Sequence, residues 1–114
     1  MEIKELAMLG ANLLNQKKAL DVNVIEISTK ASFADYFVNA TASSQRQLEA
    51  LADDVEDRFY EEGIEIKNIE GKNNAGWILL DFGDVIVNIF NQDMRERYNL
   101  EKIWGDCPII QIEE

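Results

Sequence analysis

The stretch Trp77-Ile-Leu-Leu-Asp-Phe-Gly-Asp-Val-Ile-Val-Asn-Ile-Phe90 sets two apolar runs around a Phe-Gly-Asp centre. It reads as two strands joined at Phe82, Gly83 and Asp84, and a two-residue loop then fixes which side chains share a face. One face carries Ile78, Leu80 and Phe82 with Val85, Val87 and Ile89, and is wholly apolar. The other carries Trp77, Leu79 and Asp81 with Ile86, Asn88 and Phe90. A three-residue loop would mix polar residues into the core, and burying an unpaired Asp or Asn costs on the order of a few kcal/mol. The even loop is therefore expected, with the apolar set under helices and the mixed set as the outer face. Trp and other large apolar side chains on an exposed sheet face mark an interaction surface, because aromatic anchors dominate interface energetics. The competing expectation is a second layer, in which the C-terminal segment folds back over that face.

Upstream of the hairpin, Ser43 to Glu62 is the clearest helix. Leu48, Leu51, Ala52, Val55 and Phe59 share one side, and acidic residues fill much of the other. Ser44 with Gln47 fits a capping box, and Gly63 stands where a left-handed C-terminal residue is expected. A strand over Ile64 to Ile69 should follow. Earlier still, Ile3, Leu6, Ala7, Gly10, Leu13 and Leu14 recur at helical spacing up to about Lys18. Asp21 to Ser28 and Tyr36 to Thr41 are short extended candidates. This order predicts an α/β fold: one small domain over residues 1–114, with a mixed sheet and helices packed on one face. After the hairpin, Asn91 to Tyr98 predicts a short helix. Arg95, Tyr98, Leu100 and Trp104 follow closely, and Tyr, Trp and Arg are the residues most enriched at interfaces. The tail from Pro108 to Glu114 is open between an added edge strand and a disordered end.

Composition narrows the chemistry. The 114 residues include 22 Asp and Glu against 11 Lys and Arg, no His, one Cys and one Pro, for a net charge of -11. Without histidine there is no Ser-His or Cys-His nucleophile pair and no imidazole metal ligand. Net negative charge argues against nucleic acid as the main partner, because that affinity comes largely from counterions released by Lys and Arg. A basic protein is the better match. Cys107 has no mate within the chain, which suits a reducing compartment. No signal peptide pattern and no apolar run long enough to cross a bilayer stands in the sequence, so a cytoplasmic protein with no membrane role is expected.

The abundant carboxylates raise a metal or acid/base site as a candidate. Asp81 and Asp84 flank Gly83, but a two-metal site needs several carboxylates converging at about 4 Å metal separation. Asp53 and Asp54 are adjacent on a helix and point in different directions. The Thr41-Ala-Ser-Ser44 segment offers hydroxyls and N–H groups to an anion, and is equally explained as strand exit and helix cap.

Three segments together resemble the ribosomal silencing factor family, also called Iojap-like: Lys30-Ala-Ser-Phe-Ala-Asp-Tyr-Phe-Val38, Trp77-Ile-Leu-Leu-Asp-Phe-Gly-Asp-Val-Ile-Val87 and Tyr98-Asn-Leu-Glu-Lys-Ile-Trp-Gly-Asp106. The resemblance covers nearly the whole chain. It implies a topology similar to a nucleotidyltransferase core without that family's catalytic carboxylates, hence no enzyme, no catalytic residue, no cofactor and no metal. It also implies a partner, the fourteenth protein of the large ribosomal subunit, bound at the intersubunit face. Occupying that face would block association with the small subunit and repress translation under nutrient limitation. Family members resemble dimers, so a homodimer is a further expectation. The expected partner-binding residues are Trp77, Leu79, Asp81, Asn88, Arg95, Tyr98, Leu100 and Trp104. The alternative is a minimal nucleotidyltransferase-like enzyme with Asp81 and Asp84 as metal ligands. The chain departs from the family's usual pattern at Thr41-Ala42, where Thr-Gly is common, and at Asn88, where many members carry His.

Overall fold

The helix α1, Ile3–Gln16, buries Leu6, Ala7, Gly10, Ala11 and Leu14, the side its apolar spacing defines. It opens with the Glu2 N–H donating to the Glu5 carboxylate at 3.0 Å. The structure is a computed structural model and describes residues 1–72 and 75–112. Strands β1, Leu20–Glu26, and β2, Tyr36–Thr41, follow as an antiparallel pair. Helix α2, Gln45–Glu61, then buries Leu48, Leu51, Ala52, Val55 and Phe59. Ser44 caps it by accepting the Gln47 N–H at 3.0 Å. The return half of the expected capping box is shifted by one residue, since Gln47 Oε1 accepts from the N–H and hydroxyl of Ser43. Gly63 closes the helix at φ +83°, as the sequence predicted.

The next strand is shorter than expected. Only β3, Asn68–Glu70, is paired, against β4, Trp77–Asp81. Ile64 and Ile66 turn instead onto the core beneath α2, and the Lys67 N–H donating to the Asp81 carbonyl at 2.8 Å marks where the edge contact begins. Strand β5, Val85–Phe90, completes the hairpin. The N–H of Phe82 donates to the carbonyl of Val85, so the loop is the two residues Gly83 and Asp84. Gly83 at φ +96° supplies the positive dihedral that such a turn needs.

The six strands lie in the order β3-β4-β5-β2-β1-β6, and β2 with β5 is the parallel pair at the centre. Between this sheet and the two long helices sits the main core, including Ile78, Leu80, Phe82, Val85, Val87 and Ile89 from the hairpin. The parity reading of the hairpin is thus the observed one. The openness of its other face is not. Ile86, Asn88 and Phe90 are buried, because the segment with α3, Gln92–Arg97, and α4, Leu100–Ile103, comes back over that face before the chain enters the sheet edge as β6, Ile109–Gln111. A small second core forms there from Ile25, Ile27, Ala34, Phe37, Ile86 and Cys107, with Leu79, Leu100, Trp104 and Ile109 packed against it. The mixed α/β sheet and the shared face of the long helices match the expectation, and the second layer expected as the alternative covers much of the other side. Within the tail, Ile109–Gln111 forms β6, antiparallel to β1, and Glu113 and Glu114 lie outside the described residues.

Candidate functional site

The outward side chains fall into three rows because neighbouring strands are in register. Nearest the Gly83 turn run Asp81, Ile86, Phe37, Ile25 and Ile109. The middle row is Leu79, Asn88, Asn39 and Asn23. The far row is Trp77, Phe90 and Thr41. The first row is greasy and roofed by Leu100 and Trp104, whose indole stands edge-on to Phe37 at 5.6 Å between ring centroids.

Beyond Leu79 the middle row is polar and buried, and its three amides are joined end to end. Asn88 donates to Asn39 at 3.1 Å, and Asn39 donates to Asn23 at 3.1 Å. Asn23 donates in turn to the Glu101 carboxylate of α4 at 2.8 Å. At the other end the indole N–H of Trp77 donates to Asn88 Oδ1 at 3.1 Å. Arg95 of α3 locks the Glu101 end, reaching the same carboxylate at 2.8 Å, the Thr41 hydroxyl at 2.9 Å and the Asp21 carbonyl at 2.8 Å. Among the described residues no buried side-chain nitrogen or oxygen lacks a partner. Burial works against charge on Glu101, but the Asn23 amide and the Arg95 guanidinium outweigh it and hold the carboxyl below the usual glutamate value.

The far row ends in an aromatic stack. Trp77 lies between Phe90 and Tyr98, with ring centroids 5.0 and 4.9 Å away. Both Trp77 and Leu79 are half-buried, and Tyr98 is 40% exposed. Beside them an open cavity of about 250 Å³ is lined by Glu70, Gly71, Ala75, Trp77, Leu79 and Met94.

Of the eight residues expected from sequence, then, Trp77, Leu79, Asn88 and Tyr98 meet at one end of β4 and β5. Asn88 lies beneath that patch as the acceptor for Trp77. Arg95 is at the margin but committed internally, with only 11% of its side chain exposed, so it holds α3 and α4 to the sheet. Leu100 and Trp104 lie over the first row. Asp81 stands four residues from Trp77, about 13 Å along an extended strand. Its carboxylate accepts the Gly83 N–H at 2.8 Å and so belongs to the turn. Among the described residues no group of three or more Cys, Asp or Glu is placed to hold a metal ion, and no helix is long and apolar enough to cross a membrane.

Sequence reasoning missed Asn23, Asn39 and Glu101, although each asparagine sits between apolar residues at the middle of a strand. It also missed two exposed apolar side chains, Phe33 at 59% and Ile103 at 68%. Phe33 extends the Trp104 cluster, with ring centroids 6.3 Å apart.

All of residues 1–114 match the family described as Ribosomal silencing factor during starvation. The chain belongs to the ribosomal silencing factor family. A Ribosomal silencing factor RsfS of Halalkalibacterium halodurans is 40% identical over 99% of this chain and 97% of its own. The crystal structure of a protein from Chromobacterium violaceum superposes with a TM-score of 0.88 at 34% identity, over 92% of this chain and 88% of that one. A more distant mouse relative, named Mitochondrial assembly of ribosomal large subunit protein 1, is 31% identical over 82% of this chain and 42% of its own. Membership of the silencing factor family supports a ribosome-associated silencing role, and the name ribosomal silencing factor is regulatory rather than enzymatic.

Proposed function

We propose that this protein represses translation in the cytoplasm by docking on the large ribosomal subunit through a basic ribosomal protein, the fourteenth of the large-subunit series, and so blocking association with the small subunit when nutrients are limiting. The observation that carries this reading is the Trp77, Leu79 and Tyr98 patch. It is aromatic, partly exposed and set beside an apolar cavity on a protein of net charge -11. Aromatic side chains of this kind anchor interfaces, and acidic surroundings speed encounter with a basic partner. The mouse relative's name refers to the large subunit of the mitochondrial ribosome, which agrees with the choice of subunit.

The action is steric rather than catalytic. Asp81 is engaged by its own turn, so it supplies no support for the nucleotidyltransferase-like alternative. The apolar contact comes from Trp77, Leu79 and Tyr98. Leu100 and Trp104, with exposed Phe33 and Ile103, continue the surface across the first row. A homodimer through the same patch would compete with docking.

Trp77→Ala tests the reading. It should weaken binding to purified large subunits in a pelleting assay by about 2 kcal/mol or more, roughly 30-fold. Wild-type affinity in that variant would refute the patch as the anchor.

A further inference from the structure

Buried amides joined across three strands raise the question of what sets their direction. An asparagine side chain offers a carbonyl acceptor and an amide donor, so a row of asparagines can run either way. Its ends decide. Ionised Glu101 only accepts, and the indole N–H of Trp77 only donates. With Glu101 taking the Asn23 amide, the Asn23 carbonyl must face Asn39, the Asn39 carbonyl must face Asn88, and the Asn88 carbonyl must face Trp77. Both ends demand the same direction, and the observed bonds follow it without a mismatch.

We infer that Asn23, Asn39, Asn88 and Glu101 act as positioning residues, forming a one-way hydrogen-bond relay that orients the Trp77 indole from a carboxylate on α4. Trp77 lies at the rim and is half-buried, and the tilted contacts with Phe90 and Tyr98 are non-directional, so they do not by themselves fix where the edge of the ring points. The single polar atom of the ring, held by Asn88, removes that freedom. Arg95 sets the far end, since it fixes the Glu101 carboxylate while tying α3 and α4 to the backbone of β1 and the hydroxyl of β2. The relay thereby joins the placement of the C-terminal helices to the pose of the exposed aromatic. Removing the acceptor at Glu101 leaves the buried Asn23 amide without a partner and takes away one of the two ends that fix the row, so the hold of Asn88 on the indole N–H loosens.

The docking consequence rests on the proposed role of Trp77 as an anchor, whereas the relay itself does not. The experiment therefore has two arms on the full chain: proton exchange of the Trp77 indole N–H by nuclear magnetic resonance, and pelleting with purified large subunits. Glu101→Leu should raise the indole exchange rate at least tenfold and weaken pelleting about tenfold, while Glu101→Gln, which keeps an acceptor oxygen, should restore both. In the unsubstituted protein the side-chain amide protons of Asn23, Asn39 and Asn88 should exchange slowly together with the indole, a measurement that needs no variant to fold. Fast exchange of those amides, or an indole rate unmoved by Glu101→Leu, overturns the relay. A raised indole rate with unchanged pelleting, in a protein whose Trp77→Ala form does not pellet, overturns the positioning of the anchor. If the unsubstituted protein does not pellet at all, the docking reading fails and the exchange arm still decides the relay.

Discussion

Asn39→Ala probes the buried middle row at its centre. Asn39 is fully buried, donates to Asn23 and accepts from Asn88, both at 3.1 Å. Truncation deletes two hydrogen bonds and leaves the Asn23 carbonyl and the Asn88 amide facing a small void. Each of the two orphaned polar groups costs about 1–3 kcal/mol, so the loss should be about 2–6 kcal/mol. Against the 5–15 kcal/mol that usually separates folded from unfolded states, that is a large fraction. Urea unfolding followed by circular dichroism should show a lower midpoint with an unchanged slope. The triple variant Asn23→Val, Asn39→Val, Asn88→Val makes the sharper comparison, because removing all three partners together leaves fewer orphans than the single truncation multiplied. It should be less destabilised than the sum of the three single Val variants. A loss under about 1 kcal/mol for Asn39→Ala, or additive losses in the triple, would refute the connected row.

Other outcomes follow from the same geometry. Because the Glu101 carboxyl sits below its ordinary value of 4.5 in the folded protein, it stabilises the fold above that pH, and the gain is lost as pH falls through the lower folded value. Relative to Glu101→Gln, wild-type stability should thus decline on acidification below about pH 4.5, read from urea midpoints between pH 7 and 3; parallel profiles would contradict it. Gly83→Ala forces a side chain onto φ +96° and should cost about 1–2 kcal/mol in thermal unfolding, chiefly from backbone strain, since the nearest atom to the added Cβ is the flexible end of Lys67. Phe33→Ser, at a 59% exposed position, should change stability by less than about 1 kcal/mol, because it removes only the edge of a ring cluster.

What could be read from the sequence was what local period determines. The hairpin's faces, the two long helices, the Ser44 cap and the Gly63 terminus all follow from spacings of two or about four residues, and each stands as expected. The third strand is shorter than its apolar residues suggest because an edge strand pairs on one side only, and its first residues gain more by turning Ile64 and Ile66 into the core. The cover over the outer face was legible only as an alternative. Helices α3 and α4 are short and polar, and neither buries a residue completely, so no periodic stripe announces where they lie.

The candidate site shows the same division. Trp77 and Leu79 were placed outward by parity, and they are partly accessible. Arg95 reads as an interface residue because Arg is enriched at interfaces, yet one of its partners, Glu101, lies only six residues on. Its other partners, Thr41 and Asp21, lie more than fifty residues away and become neighbours only through the β1–β2 pairing. The asparagine row is equally non-local, because it needs the register of β5 on β2 and of β2 on β1 before three scattered polar residues become one line.

Co-sedimentation of the unsubstituted protein with separated ribosomal subunits is the most direct test of the account. The protein should pellet with the large subunit, be released as salt rises, and prevent added small subunits from joining. Pelleting with the small subunit alone, or subunit joining unaffected at saturating protein, would contradict it.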